Sequence, residues 1–434
     1  MYCAFYTRLL FLLASLSLAT ANAEETAKRL FEQNNKSVYQ VRVIDTRSGD
    51  KYSIGSGFLV NESGLIATNF HVIAAHVHEP EKYKLEIISS NKSVEAVKLK
   101  AVDVVHDLAL LQIAPEIVAG IKVFQLDTAK LTKGAKLYSM GNPHDLGMTI
   151  IEGNYNGLVQ YVRHDNILFS GSLNPGMSGG PAFDSRGNVI GINVAKGQEQ
   201  ISFLVPAKHL LPLLEQTALT TPAEQTELTA LNSSEDFRAI IAAQLFADQD
   251  VFYGKILAKE FSLQQLGEVS LPEQMSERLN CWGHSQEDED DQYASVHRHC
   301  KTDDRIFVQD DIYLGHFSYD YEWNSSERFS GFKFYEATRS RFTHGWFSRV
   351  SDEDDVTSPR CSTRRIKLAG IEWKASTCLR LYKKLASLYD MSFLLNSLTY
   401  SDKSILLKLQ ASGISLENAT AIQKKLMESI QWNK

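Results

Sequence analysis

The sequence lacks any excess of basic residues. Lysine and arginine together number 45 against 52 aspartates and glutamates, so the formal net charge at pH 7 is -7. Proteins that bind nucleic acid carry a basic surface, and this balance therefore excludes nucleic acid as an expected partner. Downstream of residue 23 the chain also lacks an apolar run of the ~20 residues that a membrane-spanning helix needs. We expect no integral membrane segment in the mature chain.

One shorter apolar run is present at the N-terminus. Residues 9–20 follow Arg8 and precede Ala21-Asn22-Ala23, which is the small-x-small pattern of a secretory cleavage site. The alternative is a membrane anchor, but the run is too short to span a bilayer. We predict that residues 1–23 are a signal peptide, that cleavage follows Ala23 and that the mature chain is exported.

Cysteine is scarce, with five residues in the chain, and Cys3 leaves with the signal peptide. The mature chain keeps four: Cys281, Cys300, Cys361 and Cys378. An even number in an oxidising compartment predicts disulfides, most simply the first with the second and the third with the fourth, although four cysteines allow three pairings. Zinc is the rival, because His297 and His299 lie beside Cys300, but no C-x-x-C pair supports it.

The pattern of residue types divides the chain into two parts. Residues 36–211 consist of short β-rich segments separated by turns, a pattern typical of β-sandwiches or β-barrels. A polar, threonine-rich stretch then predicts a linker over residues 216–236. We expect a mainly β domain over residues 24–215 and a separate α+β domain over residues 237–434.

The C-terminal part mixes helical and strand patterns. Residues 237–262 have helical spacing, and a later segment alternates aromatic with other residues, which places its four aromatic side chains on one sheet face: Phe317, Tyr319, Tyr321 and Trp323. We expect these side chains to form core rather than a ligand site. Ser415 is expected to cap a final helix near residues 415–431.

Three polar residues in the first part have the types needed for nucleophilic catalysis. Ser178 lies in the glycine-rich stretch NPGMSGGPAFD, His71 ends the predicted strand GLIATNFHVI, and Asp107 directly precedes the strand LALLQI. A serine hydroxyl needs a base within hydrogen-bond reach, and that base needs a third group to hold its tautomer. Each residue alone is a common turn or core residue, so the signal lies in their combination.

Six collinear segments resemble the trypsin-like serine peptidases, and among them the HtrA (Deg) family of exported proteases. They run from residue 55 to residue 209: GSGFLV, GLIATNFHVI, HDLALLQI, GNPHDLGMTIIEG, NPGMSGGPAFDSRGNVIGINV and ISFLVPAKHL. The resemblance implies two six-stranded β-barrels of trypsin-like type with an active site between them. It also implies protein or peptide substrates, and we expect no cofactor and no metal.

The resemblance assigns roles to individual residues. It implies that His71 is the general base, that Asp107 orients the imidazole and that Ser178 is the nucleophile. The backbone N–H groups of Gly176 and Ser178 take the position of the oxyanion hole. Substrate contacts are implied for Ser172, near the base of the S1 pocket, and for four strand residues: Ile192, Asn193, Val194 and Ala195. Because Ser172 is not acidic, we do not expect arginine or lysine at P1. The small and aliphatic side chains of the strand residues 192–195 favour a modest apolar P1 residue such as valine, alanine or leucine.

Other histidines and acids fit the pattern less well. His76, His78 and His106 lie outside the TNFH position, and Asp103 does not directly precede the LALLQI strand. We therefore do not expect them to take part in catalysis.

The sequence also departs from the family. Phe70 and Met177 stand where the family commonly has polar residues, and we expect the Met177 side chain to point away from the oxyanion. Residues 220–434 contain no recognisable glycine-rich loop of a PDZ domain, so this half is expected to be a different accessory domain.

These observations predict an exported serine endopeptidase that works through an acyl-enzyme, with envelope protein quality control as its candidate role. The alternative is a binding or chaperone-like protein on an inactive or latent protease scaffold. Family analogy favours the periplasm, with an extracellular location as the alternative. The sequence leaves the oligomeric state and the ligand of the accessory domain open.

Overall fold

The computed structural model describes residues 25–198, 201–218, 234–288, 293–343, 353–385 and 387–433. The predicted signal peptide at residues 1–23 and most of the predicted linker lie outside these ranges. The chain forms two compact units, the first comprising Met1–Val159 and Asp165–Ser234 and the second comprising Gln160–His164 and Glu235–Lys434. Strands make up 44% and helices 23%, so the fold is mainly β, as predicted.

The first half of unit 1 is an antiparallel sheet. Its seven strands are β1 (Val38–Asp45), β2 (Lys51–Leu59), β3 (Leu65–Thr68), β4 (Tyr83–Ile88), β5 (Val94–Ala96), β6 (Lys98–Asp103) and β7 (Leu108–Gln112). They lie in the order β5-β4-β1-β2-β3-β7-β6, so β5 and β6 form opposite edges and the sheet is a half-barrel. This half-barrel has one strand more than the six expected, and its edge strand β5 is short and largely exposed.

The second half of unit 1 is a closed barrel of six strands, as expected. It contains β8 (Lys136–Gly141), β9 (Thr149–Leu158), β10 (Ile167–Phe169), β11 (Pro181–Phe183), β12 (Val189–Gln198) and β13 (Ile201–Pro206). Their order around the barrel is β10-β13-β12-β11-β8-β9. Apolar side chains that alternate along the strands, such as Leu137, Ile167 and Leu204, form one buried cluster in this half. The burial of that cluster stabilises the barrel that carries Ser178.

The described part of unit 1 contains three α-helices: α1 (residues 25–34), α2 (Phe70–His78) and α3 (Leu210–Ala218). The helix α2 corrects the sequence interpretation, because the predicted strand was expected to continue to His71 and instead ends at Thr68. Asn69 keeps an extended backbone and is the N-cap residue, and the run Phe70–His78 buries one apolar face as a helix. His71 therefore lies in the first turn of a helix.

In the part of the chain that the structure describes, unit 2 contains twelve strands in three sheets. Its strands are β14 (Leu263–Leu266), β15 (Val269–Pro272), β16 (Asn280–Asp288), β17 (Tyr293–Lys301), β18 (Ile306–Gln309), β19 (Ile312–Leu314), β20 (Phe317–Ser326), β21 (Arg360–Leu368), β22 (Ile371–Leu381), β23 (Tyr389–Ser397), β24 (Lys403–Ile414) and β25 (Gln431–Trp432). Seven of them pair in the order β16-β17-β20-β24-β23-β22-β21. The helices are α4 (Ser234–Ala258), α5 (Gly331–Arg339) and α6 (Leu416–Glu428). Within the described residues, no helix combines the length and the apolarity that spanning a membrane requires.

The core of unit 2 contains the aromatic face predicted from the sequence. The four aromatic residues of β20 are buried in one cluster with residues of α4 and α6, such as Tyr253 and Ile422. The prediction that they form core is confirmed. Ser415 caps α6 as expected, because its hydroxyl accepts a hydrogen bond of 3.1 Å from the Asn418 N–H.

Both edge strands of this sheet are joined to their neighbours by disulfides. Cys281 on β16 is bonded to Cys300 on β17, and Cys361 on β21 is bonded to Cys378 on β22. In each case the two cysteines are direct cross-strand partners. The predicted pairing is confirmed, and the Cys300 thiol that the zinc alternative requires is used in a disulfide.

The short segment Gln160–His164, which follows β9 in the sequence, belongs to unit 2. The Arg163 guanidinium donates to the Gly315 carbonyl oxygen at 2.9 Å, is paired with Asp248 and lies 4.4 Å from the centre of the Phe252 ring. Nearly all of the Arg163 side chain is buried by these contacts. The segment is thus an integral part of the core of unit 2.

Candidate active site

The structure brings His71 and Asp107 together. His71 lies in the first turn of α2, and Asp107 lies in the turn between β6 and β7. One carboxylate oxygen of Asp107 is 2.7 Å from His71 Nδ1, and the other accepts a hydrogen bond of 2.8 Å from the His71 backbone N–H. This two-point contact sets the ring orientation and leaves Nε2 as the nitrogen that can accept a proton.

Asp107 itself is held in an unusual backbone conformation. Its φ of 56° lies in the left-handed region that residues other than glycine seldom occupy. Its carbonyl oxygen accepts hydrogen bonds from Asn69 Nδ2 at 2.8 Å and from the Phe70 N–H at 3.2 Å. Asn69 is completely buried. The sequence analysis missed this residue, although its place directly before the helix that carries His71 was the available signal.

The environment of His71 raises the pKa of its imidazole. Burial acts in the opposite direction, because it disfavours the charged ring, but the charge of Asp107 and the hydrogen bond to it outweigh that effect. A raised pKa means that the surroundings stabilise the protonated ring, the imidazolium. That is the form a general base reaches after it takes the serine proton.

Ser178 lies between β10 and β11, in a turn bonded to both halves of unit 1. Its hydroxyl donates to the Val194 carbonyl oxygen at 2.8 Å, and its own carbonyl oxygen accepts from the Ser56 N–H at 2.7 Å. The Ser56 hydroxyl donates to the Gly176 carbonyl oxygen, also at 2.7 Å. Ser56 on β2 therefore anchors the turn from both sides, and sequence reasoning missed it because serine has no distinctive pattern within a strand.

The peptide groups next to Ser178 have a defined orientation. In a planar trans peptide the carbonyl and the following N–H point in opposite directions. The Pro175 carbonyl oxygen accepts from the His144 N–H at 2.8 Å, and the Met177 carbonyl oxygen accepts from Asn193 Nδ2 at 3.1 Å. The following N–H groups, those of Gly176 and Ser178, therefore point away from these acceptors. Among the described residues, no hydrogen bond uses either N–H.

Backbone conformation and lack of space explain why two positions of the turn are glycine. Gly176 has a φ of 94°, and a side chain there would collide with the Asn142 carbonyl oxygen. Gly179 has a φ of 84°, and a side chain there would collide with the backbone of Ser56 and the hydroxyl of Thr68. Only glycine accepts both the left-handed backbone and the close approach.

Met177 points away from the two N–H groups, as expected. Its side chain is completely buried and packs with Leu173, Phe169 and other residues of the apolar cluster in the second barrel. An apolar residue at this position therefore fixes the turn by packing, where a polar residue would use hydrogen bonds.

The residues predicted to contact substrate have different surroundings. Ser172 is exposed, and Val194 is partly buried and supplies the acceptor for the Ser178 hydroxyl. Ile192 is buried in the unit 1 core, and Ala195 continues β12. The Asn193 side chain is buried and donates to the Met140 and Met177 carbonyl oxygens. The Asn193 backbone is bonded to the serine turn as well, since its N–H donates to the Gly180 carbonyl oxygen at 2.9 Å and its carbonyl oxygen accepts from the Gly179 N–H at 2.8 Å.

The competing residues form contacts of their own. Asp103 binds His106, with 2.7 Å between the carboxylate and Nδ1, and the His106 ring stacks on His209 at 3.9 Å. His76 Nδ1 lies 2.6 Å from the Tyr83 carbonyl oxygen, and burial lowers the pKa of this histidine. Within the described ranges, no group of three or more histidine, cysteine, aspartate or glutamate residues could hold a metal ion.

A histidine–carboxylate pair and a glycine-framed serine turn thus both lie in unit 1. Residues 55–192 match the family model described as "Trypsin-like peptidase domain". This range contains His71, Asp107, Ser178 and Gly176.

Two curated relatives and one solved structure are similar to part of this chain. The chain is 32% identical over 178 residues to "Serine protease HTRA3" of Homo sapiens, covering 38% of each chain. It is 30% identical over 181 residues to "Probable periplasmic serine endoprotease DegP-like" of Marinomonas sp., covering 39% of this chain and 36% of the relative. The chain thus spans less than two fifths of the length of these curated relatives. A solved serine endoprotease from Yersinia pestis aligns over 44% of this chain and 66% of its own, with 24% identity and a TM-score of 0.38.

Proposed function

We propose that this protein is an exported serine endopeptidase of the HtrA type. The observation that carries the proposal is the contact of Asp107 with both the ring and the backbone N–H of His71, in the unit that also presents Ser178 on a glycine-framed turn. Such a set of groups suits acyl transfer from a peptide carbonyl to a serine hydroxyl.

In the proposed reaction the Ser178 hydroxyl turns from Val194 towards His71. Its proton passes to His71 Nε2 while Oγ forms a bond to the scissile carbonyl carbon. The resulting oxyanion is stabilised by the Gly176 and Ser178 N–H groups. The imidazolium then gives its proton to the leaving amine, the C–N bond breaks, and a water molecule, activated by the same imidazole, hydrolyses the acyl-enzyme.

Asp107 orients His71 throughout and stabilises the imidazolium. The raised pKa of His71 agrees with this role, since the charge of Asp107 favours the protonated ring. In this scheme Asp107 takes no proton from the imidazole and serves as an orienting group. Residues 24–215 are the proposed catalytic domain, residues 216–236 the linker and residues 237–434 the accessory domain.

Three observations support export and a polypeptide substrate. The N-terminal 23 residues fit a signal peptide, the two disulfides of unit 2 suit an oxidising compartment, and one relative is described as a probable periplasmic endoprotease. We propose the periplasm as the location and quality control of envelope proteins as the role. A modest apolar P1 residue is proposed because Ser172 supplies no acid for arginine or lysine and the strand residues 192–195 have small and aliphatic side chains.

The second candidate function is a binding or chaperone-like role on a latent scaffold. The hydrogen bond from the Ser178 hydroxyl to Val194 is the observation in its favour, because this serine must rotate before it can react. We favour the enzyme, since catalytic hydrogen bonds are often loose before substrate binds. The orientation of the Gly176 and Ser178 N–H groups also suits a formed oxyanion hole.

The proposal is tested with a fluorophosphonate probe and fluorescently labelled unfolded casein. We expect the mature wild type to label at one site and to cleave casein, and we expect Ser178→Ala to do neither. His71→Ala should label slowly, while His76→Ala is the matched control and should label as the wild type does. A folded wild type that neither labels nor cleaves would exclude the enzyme in favour of the scaffold role.

A further inference from the structure

The loop between β8 and β9 positions one donor of the proposed oxyanion hole. Its His144 N–H donates to the Pro175 carbonyl oxygen at 2.8 Å, and that carbonyl belongs to the same peptide group as the Gly176 N–H. Because the two ends of a trans peptide point in opposite directions, the position of His144 decides where the Gly176 N–H points. The same peptide would present its carbonyl oxygen to the oxyanion if it rotated by half a turn.

This loop has a backbone conformation that needs external support. His144 and the next residue, Asp145, have φ values of 50° and 62°, so two successive residues that are not glycine lie in the left-handed region. That region is unfavourable for residues with a side chain, and aspartate tolerates it better than most. Leu146 is 82% exposed and packs little. Apolar packing at the tip therefore contributes little to holding the loop.

Asn142 holds the base of the loop, because its side-chain oxygen accepts from the Gly147 N–H at 2.8 Å and its own N–H donates to the Ser56 hydroxyl at 3.0 Å. The support of the left-handed turn itself comes from the Asp145 carboxylate. One of its oxygens accepts a hydrogen bond of 2.6 Å from Gln40 Nε2, and the other is paired with Lys51 Nζ. Gln40 is almost completely buried on β1, and Lys51 begins β2. Both partners belong to the first sheet of unit 1. These contacts also lower the pKa of Asp145, and the carboxylate therefore stays charged at neutral pH.

We propose that Asp145 is a positioning residue for the oxyanion hole. Its carboxylate, held by Gln40 and Lys51, keeps the left-handed turn in place, so that the His144 N–H holds the Pro175 carbonyl and the Gly176 N–H faces the oxyanion. Asp145 touches neither substrate nor reacting atoms and acts only through this chain of contacts. The proposal rests on the proposed endopeptidase function and adds a connection from the first sheet to the active site.

The test measures catalysis and stability in parallel. Asp145→Ala should lower kcat on fluorescent casein and the fluorophosphonate labelling rate by about 10-fold or more, approaching the roughly 10²- to 10³-fold loss seen when one oxyanion donor is removed. KM should change less than about 2-fold, because the oxyanion interaction forms in the transition state. The thermal unfolding midpoint should stay close to that of the wild type, since Asp145 and Lys51 form a partly exposed pair.

Two further substitutions separate the carboxylate from the backbone. Asp145→Gly removes the carboxylate but also removes the strain of a left-handed residue, and we expect it to be as slow as Asp145→Ala. Asp145→Asn keeps an oxygen for Gln40 and should lie between alanine and wild type. Lys51→Ala should also lower kcat, and it serves as the second route if an Asp145 variant does not fold.

The matched control is Glu79→Ala, which breaks a surface ion pair with Lys82 in the turn between α2 and β4 and should leave both rates unchanged. An Asp145→Gly variant as fast as the wild type would overturn the proposal, and so would a loss confined to KM. A wild type that does not label overturns the endopeptidase function and this inference with it. A reactive wild type with equally reactive Asp145 variants overturns the inference alone.

Discussion

At the scale of single residues, the site depends on side chains that hold backbone groups. Asn69 and Asn193 are buried asparagines, and each donates to a carbonyl oxygen next to a proposed catalytic group. Asn69 holds the Asp107 carbonyl, and Asn193 holds the carbonyl that precedes Ser178. Sequence reasoning placed Asn193 among the substrate contacts and did not consider Asn69. Nothing in a single sequence distinguishes a buried asparagine that supports a site from one in an ordinary turn.

Replacement of Asn69 by alanine should reduce catalysis. The Asp107 carbonyl would lose its side-chain donor, and the left-handed backbone at Asp107 would be less well defined. One hydrogen bond is worth about 1 kcal/mol net, so kcat/KM on casein should fall about 5- to 10-fold. The acid limb of the pH profile should also move to lower pH. Burial lowers the imidazole pKa of His71 and the contact with Asp107 raises it, so a less well-held Asp107 leaves that pKa lower.

The matched control is Asn61→Ala, which removes an asparagine that accepts from the Leu65 N–H in a nearby turn. This variant should lose a comparable amount of stability and keep the wild-type pH profile. Equal profiles for both variants would mean that Asn69 has a structural role only.

At the scale of elements, a helix in unit 1 stands where a strand was predicted, and the two edge strands of the seven-stranded sheet of unit 2 are exposed. The apolar stretch around His71 has the composition of a strand, and the helix forms because the chain must turn at Asn69 and bury its apolar face against the sheet.

The edge strand β16 is largely exposed along its length, as is β21. Exposed edges have unpaired backbone groups and pack weakly. The cross-strand disulfides compensate by joining each edge to a buried neighbour.

Removal of the first disulfide should destabilise unit 2 and spare the active site. The bond closes a loop of 19 residues, and such a crosslink is worth about 3 kcal/mol. Cys281→Ser combined with Cys300→Ser should lower the free energy of unfolding by about that amount. All five tryptophans lie in residues 235–434, so tryptophan fluorescence in denaturant follows unit 2 alone.

The fluorophosphonate labelling rate of the same variant should equal that of the wild type, because unit 1 contains no cysteine of the mature chain. The variant that lacks the second disulfide provides the comparison, and it should behave similarly. Unchanged stability in both variants would show that the crosslinks do not hold the edges.

At the scale of the whole molecule, two separate segments of the chain belong to unit 2. Residues 160–164 belong to unit 2, although the strands on either side of them belong to unit 1. His164 is 2.7 Å from one carboxylate oxygen of Asp248, and it is 3.6 Å from Asp304 on its other side. Burial alone would lower the pKa of His164, but the hydrogen bonds to these two carboxylates outweigh it and raise the pKa to about 9.

The stability of unit 2 should therefore fall at alkaline pH. A histidine whose folded pKa is raised above 6.5 contributes stability that is complete below pH 6.5 and is lost as the pH rises through about 9. The expected loss is on the order of 3 kcal/mol. It is measured by tryptophan fluorescence in denaturant at a series of pH values.

The variant His164→Gln should be less stable at pH 6 and should show a flatter profile between pH 7 and pH 10. The control His284→Gln changes an exposed histidine of β16 and should keep the wild-type slope. Parallel slopes in all three proteins would contradict the assignment of this pH dependence to His164.

The sequence by itself determined the class of fold and the aromatic core of β20, and it indicated a two-part organisation and favoured one of three possible disulfide pairings. It also supplied the candidates His71, Asp107 and Ser178, because residue order, period-two alternation and cysteine spacing are local properties of the chain. Only the tertiary structure decided that the first sheet is open, that residues 160–164 join unit 2, and that Asn69, Ser56 and Asp145 support the proposed site. Those features depend on contacts between segments far apart in sequence, and no local pattern of residues encodes such contacts.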